Sequence, residues 1–257
     1  MKKRNIPLDA KVLLSPSFKS AEDFVGLVRD FLVRLPLFTP NGRGDVEPIN
    51  LRLLMPEIEK FLRPGGSTIM WKRKSSPKGW GVLKKRTNPL RGPQFSSHYL
   101  DVSVESAGQV SDLIGYLRGF VEWARIEYAF CDTLTKEYVS AAQVNGLAPY
   151  KDNMNIYAHM LVRCLPDVVW SQIFGPAYVK LIGLDKLLSA PAHKVEQLGP
   201  ETVYVQLSES LFDMHDRYEE VDAVRQQVKQ HLDDNIFFDP RNAKEHVYRV
   251  PQFEFPD

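Results

Sequence analysis

The chain has 257 residues, 44% of them hydrophobic and 25% charged, with a formal net charge of +1. That composition suits an ordinary globular protein and argues against disorder over most of the length. It offers no run of about 18 consecutive apolar residues, which excludes a bilayer-crossing helix free of buried charge. Met1-Lys2-Lys3-Arg4 has the charge of a signal peptide, but Asp9 and Lys11 interrupt the apolar run that should follow, so a cytoplasmic location is expected. Cys131 and Cys164 fit no CxxC pattern and read as buried apolar side chains in a reducing compartment.

Ser20 opens the first clear helix, because Phe24, Leu27, Val28, Phe31 and Leu32 share one face, and Pro36 ends it. Asn41 to Gly44 reads as a turn. A short apolar segment then leads to Pro56, a suitable first helical position, and breaks at Pro64-Gly65-Gly66. Strands are expected over 68–74, 80–86 and 98–105, the first two joined as a hairpin through Pro77-Lys78-Gly79.

Ser106 with Gln109 three residues on forms a capping-box pattern ahead of Val110, Leu113, Ile114 and Leu117. The helix that starts there is expected to run, with some irregularity, to about Gln143 and to pack on the sheet. Further helical turns are expected over 155–174, broken near Pro166, and over 177–188. Val203, Val205 and Leu207 alternate with Tyr204 and Gln206 as in a half-buried strand. A last helix carries Tyr218, Val221, Val224, Val228 and Leu232 on one face, and 247–255 reads as an edge strand or a strap. The whole reads as α+β, a mainly antiparallel sheet with helices packed on one face. It is taken as one domain over 1–257, with 1–64 separable as an N-terminal subdomain.

No GxxxxGK[ST] or GxGxxG loop, HExxH pair, close Cys/His group or GxSxG elbow occurs, so no catalytic, cofactor or metal-binding residue is nominated. Metal-dependent nucleases use an Asp followed by an Asp/Glu-x-Lys group. The one such triplet here, Asp9-Ala10-Lys11, lacks the preceding acid.

Charge is unevenly placed. From Lys60 to Leu100 there are ten Lys or Arg and no Asp or Glu, leaving 23 basic against 32 acidic residues elsewhere. A hairpin carrying Lys72, Arg73, Lys74, Lys84, Lys85 and Arg86 beside Trp71 and Trp80 admits three readings. It is a solvated, charge-protected edge, a protein-binding surface, or a nucleic-acid module. Opposite in sign, Glu209, Asp213, Asp216, Glu219, Glu220 and Asp222 stand against Arg217 alone. Asp216 with Glu219 could cap the final helix. The acidic surplus could equally face a basic partner, and these six residues are the candidates for partner contact.

Leu165-Pro166, Trp170, Phe174-Gly175-Pro176-Ala177-Tyr178, Gly183 and Leu188-Ser189-Ala190-Pro191-Ala192, followed by Val203 to Leu207, resemble family 52 of the immunity proteins of bacterial polymorphic-toxin systems. Asn235 to Pro240 and Val250 to Phe255 extend the likeness, which covers roughly 100–257. The resemblance implies a protein that binds and neutralises a secreted toxin, often a restriction-endonuclease-type nuclease delivered by type VI secretion, by stoichiometric inhibition and without catalysis. From the missing motifs and apolar spans, no cofactor, metal or membrane partner is expected. A nucleic-acid-binding module using the basic hairpin 68–91, or an enzyme of unrecognised type, are the alternatives.

Overall fold

The computed structural model describes residues 5–15, 20–44, 68–85, 95–135, 156, 158–239 and 246–254. Nine strands form one sheet: β1 (Ile6–Leu14), β2 (Gly42–Gly44), β3 (Thr68–Arg73), β4 (Gly79–Lys84), β5 (Ser96–Val104), β6 (Ile126–Asp132), β7 (Ser171–Phe174), β8 (Lys194–Gly199) and β9 (Thr202–Gln206). Their order is β2-β3-β4-β5-β1-β6-β7-β9-β8, and every neighbouring pair is antiparallel.

The segment whose apolar run is broken by Asp9 and Lys11 is the central strand. Ile6–Leu14 lies between β5 and β6 and is buried at every position except Pro7. A strand alternates its side chains between two faces, so two covered faces leave no solvent side for the charged residues. Both are satisfied internally: the Tyr99 hydroxyl donates to Asp9 at 2.5 Å, and Lys11 Nζ donates to the Ile156 carbonyl at 2.9 Å.

Helices α1 (Ala21–Arg34) and α2 (Ala107–Gly119) cover one face. There Val12 stands between His98 of β5 and Ala129 of β6. The His98 ring meets Phe31 of α1 at 4.5 Å and Tyr116 of α2 at 5.7 Å, centroid to centroid. One residue on, Leu13 pairs with Tyr128, which points to the opposite face. Tyr128 packs against Tyr178 of helix α4 (Pro176–Ile182) at 5.6 Å. Helices therefore flank both faces, where the sequence reading placed them on one. The α+β class and the antiparallel sheet are as expected.

Local signals hold where local chemistry decides. Ser20 caps α1 with a reciprocal box, its Oγ accepting from Asp23 N and Asp23 Oδ2 accepting from Ser20 N, each at 2.9 Å. Ser106 caps α2, but the Gln109 side chain reaches Glu105 N instead of Ser106 N, so the second half of that box is shifted by one residue. The hairpin of β3 and β4 forms with Thr68 opposite Lys84 and Arg73 opposite Gly79.

Other expectations fail for tertiary reasons. The helix from Ser106 ends at Gly119, and residues 126–132 are a strand, paired with β1 and β7 along its two edges and buried at every position. Residues 136–143 of that expected helix lie outside the described residues, as does the segment 45–67. Among the described residues of 155–174 only α3 (Ala158–Leu161) is helical, and Ser171–Phe174 pairs with β6 and β9. The helix over 177–188 divides into α4 and α5 (Leu184–Leu188) at Gly183, whose φ of 101° suits glycine. Gly42–Gly44, read as a turn, pairs with β3. β9 is buried on both faces, with Tyr204 1% exposed, instead of half-buried. Cys131 is buried in β6, and Cys164 is half-buried.

The chain continues through α6 (Asp213–Asp216) and α7 (Tyr218–Leu232). Residues 246–254 form no strand. They are a strap in which Pro251 is buried and Phe253 lies edge-on to Phe95 at 5.0 Å and to Tyr178 at 6.0 Å.

Candidate partner-binding surface

The turn that leaves β9 is held from several sides. Leu207 N donates to the Trp170 carbonyl at 2.8 Å, and Trp170 Nε1 donates to Ser208 Oγ at 2.9 Å. Ser208 Oγ in turn donates to the Ser210 carbonyl, and Gln206 Nε2 to the Ser208 carbonyl. Ser210 N then donates to Asp213 Oδ2 at 3.1 Å, joining the turn to α6. Glu209, exposed at the tip, is carried by a backbone with little freedom left.

The six acidic candidates divide by what they touch. Asp213 is largely buried and pairs with Arg217 at 3.1 Å; Glu220 pairs with the same guanidinium at 3.2 Å. Asp222 pairs at 2.7 Å with Arg225. Asp216 and Glu219 are exposed at the α6–α7 junction. Neither caps α7: its N-cap is Arg217, with no side-chain cap bond. Glu209 forms no ion pair among the described residues, and only its carbonyl is engaged, by Gln206 Nε2 at 3.3 Å.

A cleft of about 410 Å³ opens between the Pro191–His193 turn, the Leu207–Glu209 turn and the start of α7. Buried Leu207 and Val221 form its apolar floor beneath half-buried Val224, and Glu209, Arg217 and Glu220 supply its charge. A second groove of about 380 Å³ lies on the α2 face, between Ile114 and Arg118 of α2 and Lys194, Tyr204 and Gln206 of the sheet edge. Glu209 borders both concavities. In the groove, Arg118 and Lys194 both reach Glu196, at 2.5 and 3.1 Å, and the Arg118 guanidinium lies 5.0 Å from the Tyr204 ring centre.

The basic hairpin is less available than its sequence suggests. Trp71 is fully buried and donates to His98 Nε2 at 2.9 Å. Trp80 donates to Asp101 at 2.8 Å and stands edge-on to Tyr99, while Arg73 is spent on the Thr39, Ser76 and Pro77 carbonyls. Lys72, Lys74, Lys78 and Lys84 are exposed. Lys60, Arg63, Arg86 and Arg91 lie outside the described residues.

Polar groups inside the sheet escaped the sequence reading. Asp101, Asp9 and Asp132 stand opposite one another on β5, β1 and β6. Each has its own donors: Trp80 for Asp101, Tyr99 for Asp9, and the Trp170 and Thr133 amides for Asp132. Burial raises the Asp132 pKa to about 6, against the pull of Arg225 and these amides. Burial, helped by the Lys84 charge, lowers Lys11 to about 7, and burial alone lowers His98 to about 3. The sequence signal for this network is an alternation of charged and apolar residues over 8–12, which reads as a strand only once both neighbours are known. Among the described residues no group of three or more His, Cys, Asp or Glu is arranged to hold a metal ion.

These features define an α+β protein built on one long antiparallel sheet, with a rigid acid-bordered turn between two surface concavities. No protein-family model and no curated protein matches the chain. Among solved structures it is similar to the Pseudomonas aeruginosa T6SS protein PA0821, with a TM-score of 0.52 and 12% identity, over 87% of this chain and 73% of that one. At that identity the likeness is one of fold. Among the described residues no helix is long and apolar enough to cross a membrane.

Proposed function

We propose that this protein binds and neutralises a secreted bacterial toxin, a nuclease effector of a type VI secretion system, as a stoichiometric inhibitor without catalysis of its own. The observation that carries the proposal is the shared fold with a T6SS protein. The motifs around Trp170, Phe174 to Tyr178 and Leu188 to Ala192, which resemble the immunity family, support it from the sequence side. So does the exposed acidity around Glu209. A nuclease presents basic groups to phosphate, and a negative surface placed against them raises the rate and selectivity of encounter. The producing cell's cytoplasm is the proposed site of action.

Such a complex should bury about 800 Å² or more per partner and reach a Kd on the order of nanomolar. The test mixes the purified protein with the toxin domain encoded beside it, and follows size-exclusion elution and nuclease activity together. A one-to-one complex with activity lost supports the proposal. Separate elution with activity intact rejects it.

A further inference from the structure

We infer that the cleft between the Pro191–His193 turn and α7 is an anchor pocket for one basic side chain, arginine or lysine, on an exposed segment of a protein partner. Only the partner's identity as a toxin rests on the function proposed above; the chemistry of the pocket does not.

The apolar lining comes first. Pro191 is exposed and Ala192 and Val224 are half-buried, so above the buried Leu207 and Val221 they offer a surface for the aliphatic stem of a long side chain. The border then selects the head group. Glu209 forms no ion pair among the described residues and sits on a turn fixed by the Trp170–Ser208–Ser210 bonds. Glu220 is 68% exposed and holds Arg217 in a surface pair that yields little and leaves carboxylate lone pairs for a second cation. Arg217 does not repel an incoming cation outright, because Asp213 and Glu220 both neutralise it.

The competing occupants fit worse. An acidic side chain would meet Glu209 and Glu220. An apolar one would cover the lining while stripping water from a carboxylate with no partner. A guanidinium or ammonium both fills the cleft and pairs the carboxylate, the combination that makes a buried charged anchor dominate an interface. Because Glu209 also borders the groove on the α2 face, a partner segment crossing the 207–211 turn would engage both concavities.

The first experiment uses doubly capped arginine as the probe, with capped citrulline as its neutral counterpart and capped glutamate as the opposite charge, read by amide chemical shifts. Saturable shifts centred on Ala192, Glu209, Val221 and Val224, given by arginine alone and lost in both Glu209→Gln and Val224→Phe, are expected. Shifts equal for citrulline, scattered over all exposed acids, or absent overturn the pocket. The second experiment uses the toxin domain. Glu209→Lys should weaken its complex about 100-fold, and Glu22→Lys on α1, far along the chain, less than about threefold, the size expected when a desolvated charge pair is broken and when an exposed charge is merely moved. Arginine binding without any toxin complex would sink the toxin reading and leave the pocket standing. A toxin complex indifferent to both Glu209→Lys and Val224→Phe would sink the pocket and leave the toxin reading.

Discussion

His98 gives the sharpest test of how the sheet and its helices are joined. Its Nε2 accepts the Trp71 indole N–H at 2.9 Å, and its Nδ1 lies 2.7 Å from the Tyr116 hydroxyl. Indole nitrogen can only donate, so Nε2 is the bare nitrogen and the neutral ring carries its proton on Nδ1, directed at Tyr116. All three side chains are buried, at 0%, 0% and 1% exposure. Leucine in place of His98 nearly conserves volume but leaves the Trp71 N–H and the Tyr116 hydroxyl unpaired, at about 1–3 kcal/mol each. A loss of about 2–5 kcal/mol is expected, a large share of a typical domain's stability. Urea unfolding followed by circular dichroism measures it.

The same substitution carries a pH signature. Burial holds the folded imidazole near pKa 3, whereas the unfolded ring titrates near 6.5. Between those values the unfolded chain binds a proton that the folded chain refuses. The stability contributed by the neutral ring is therefore complete above pH 6.5 and is lost as pH falls toward 3, by up to about 1.4 kcal/mol per pH unit. The difference between wild type and His98→Leu should shrink at that rate below pH 6.5. Adding Tyr116→Phe to His98→Leu should restore about 1 kcal/mol, because one orphaned hydroxyl disappears. A penalty under about 1 kcal/mol, independent of pH and unrelieved by Tyr116→Phe, would refute the hydrogen-bonded triad.

Lys11 has a folded pKa near 7 against 10.5 when exposed, so folding expels a proton between those values and stability should rise as pH goes from 7 to 10. Lys11→Met should remove one proton's worth of that slope in urea titrations at pH 7 and 9. Gly175→Ala would drive a Cβ into the Ile126 carbonyl oxygen and to 2.8 Å from Glu127 Cα, both backbone atoms of β6, so a loss of about 2 kcal/mol or more is expected in thermal unfolding. Gly115→Ala, with nothing within 4 Å, should be neutral or slightly stabilising in the same assay. Arg225 is 1% exposed and bonds the Val168 carbonyl and Asp222, so Arg225→Ala should cost about 3–5 kcal/mol and lower the urea midpoint without changing the cooperativity of unfolding.

Short-range chemistry was readable from the chain alone. Ser20 and Ser106 start their helices where a hydroxyl can take an orphan amide, Pro36 stops α1, and the β3–β4 hairpin follows from alternation around a Pro-Lys-Gly link. The α+β class followed from the same signals. What the chain could not show by itself is which segments are covered on two sides. Ile126–Asp132 carries Tyr128 at a spacing that also suits a helix, and it becomes a strand because β1 and β7 take its hydrogen bonds on both edges. Ile6–Leu14 looked like an interrupted apolar run, because Asp9 and Lys11 find their partners in Tyr99 and Ile156, 90 and 145 residues away. The acidic run from Glu209 to Asp222 was visible as composition. Its division into carboxylates held by Arg217 and Arg225, two exposed at the α6–α7 junction, and one at Glu209 between two concavities was decided by packing, since charge in sequence has sign and spacing but no direction until the fold gives each group its neighbours.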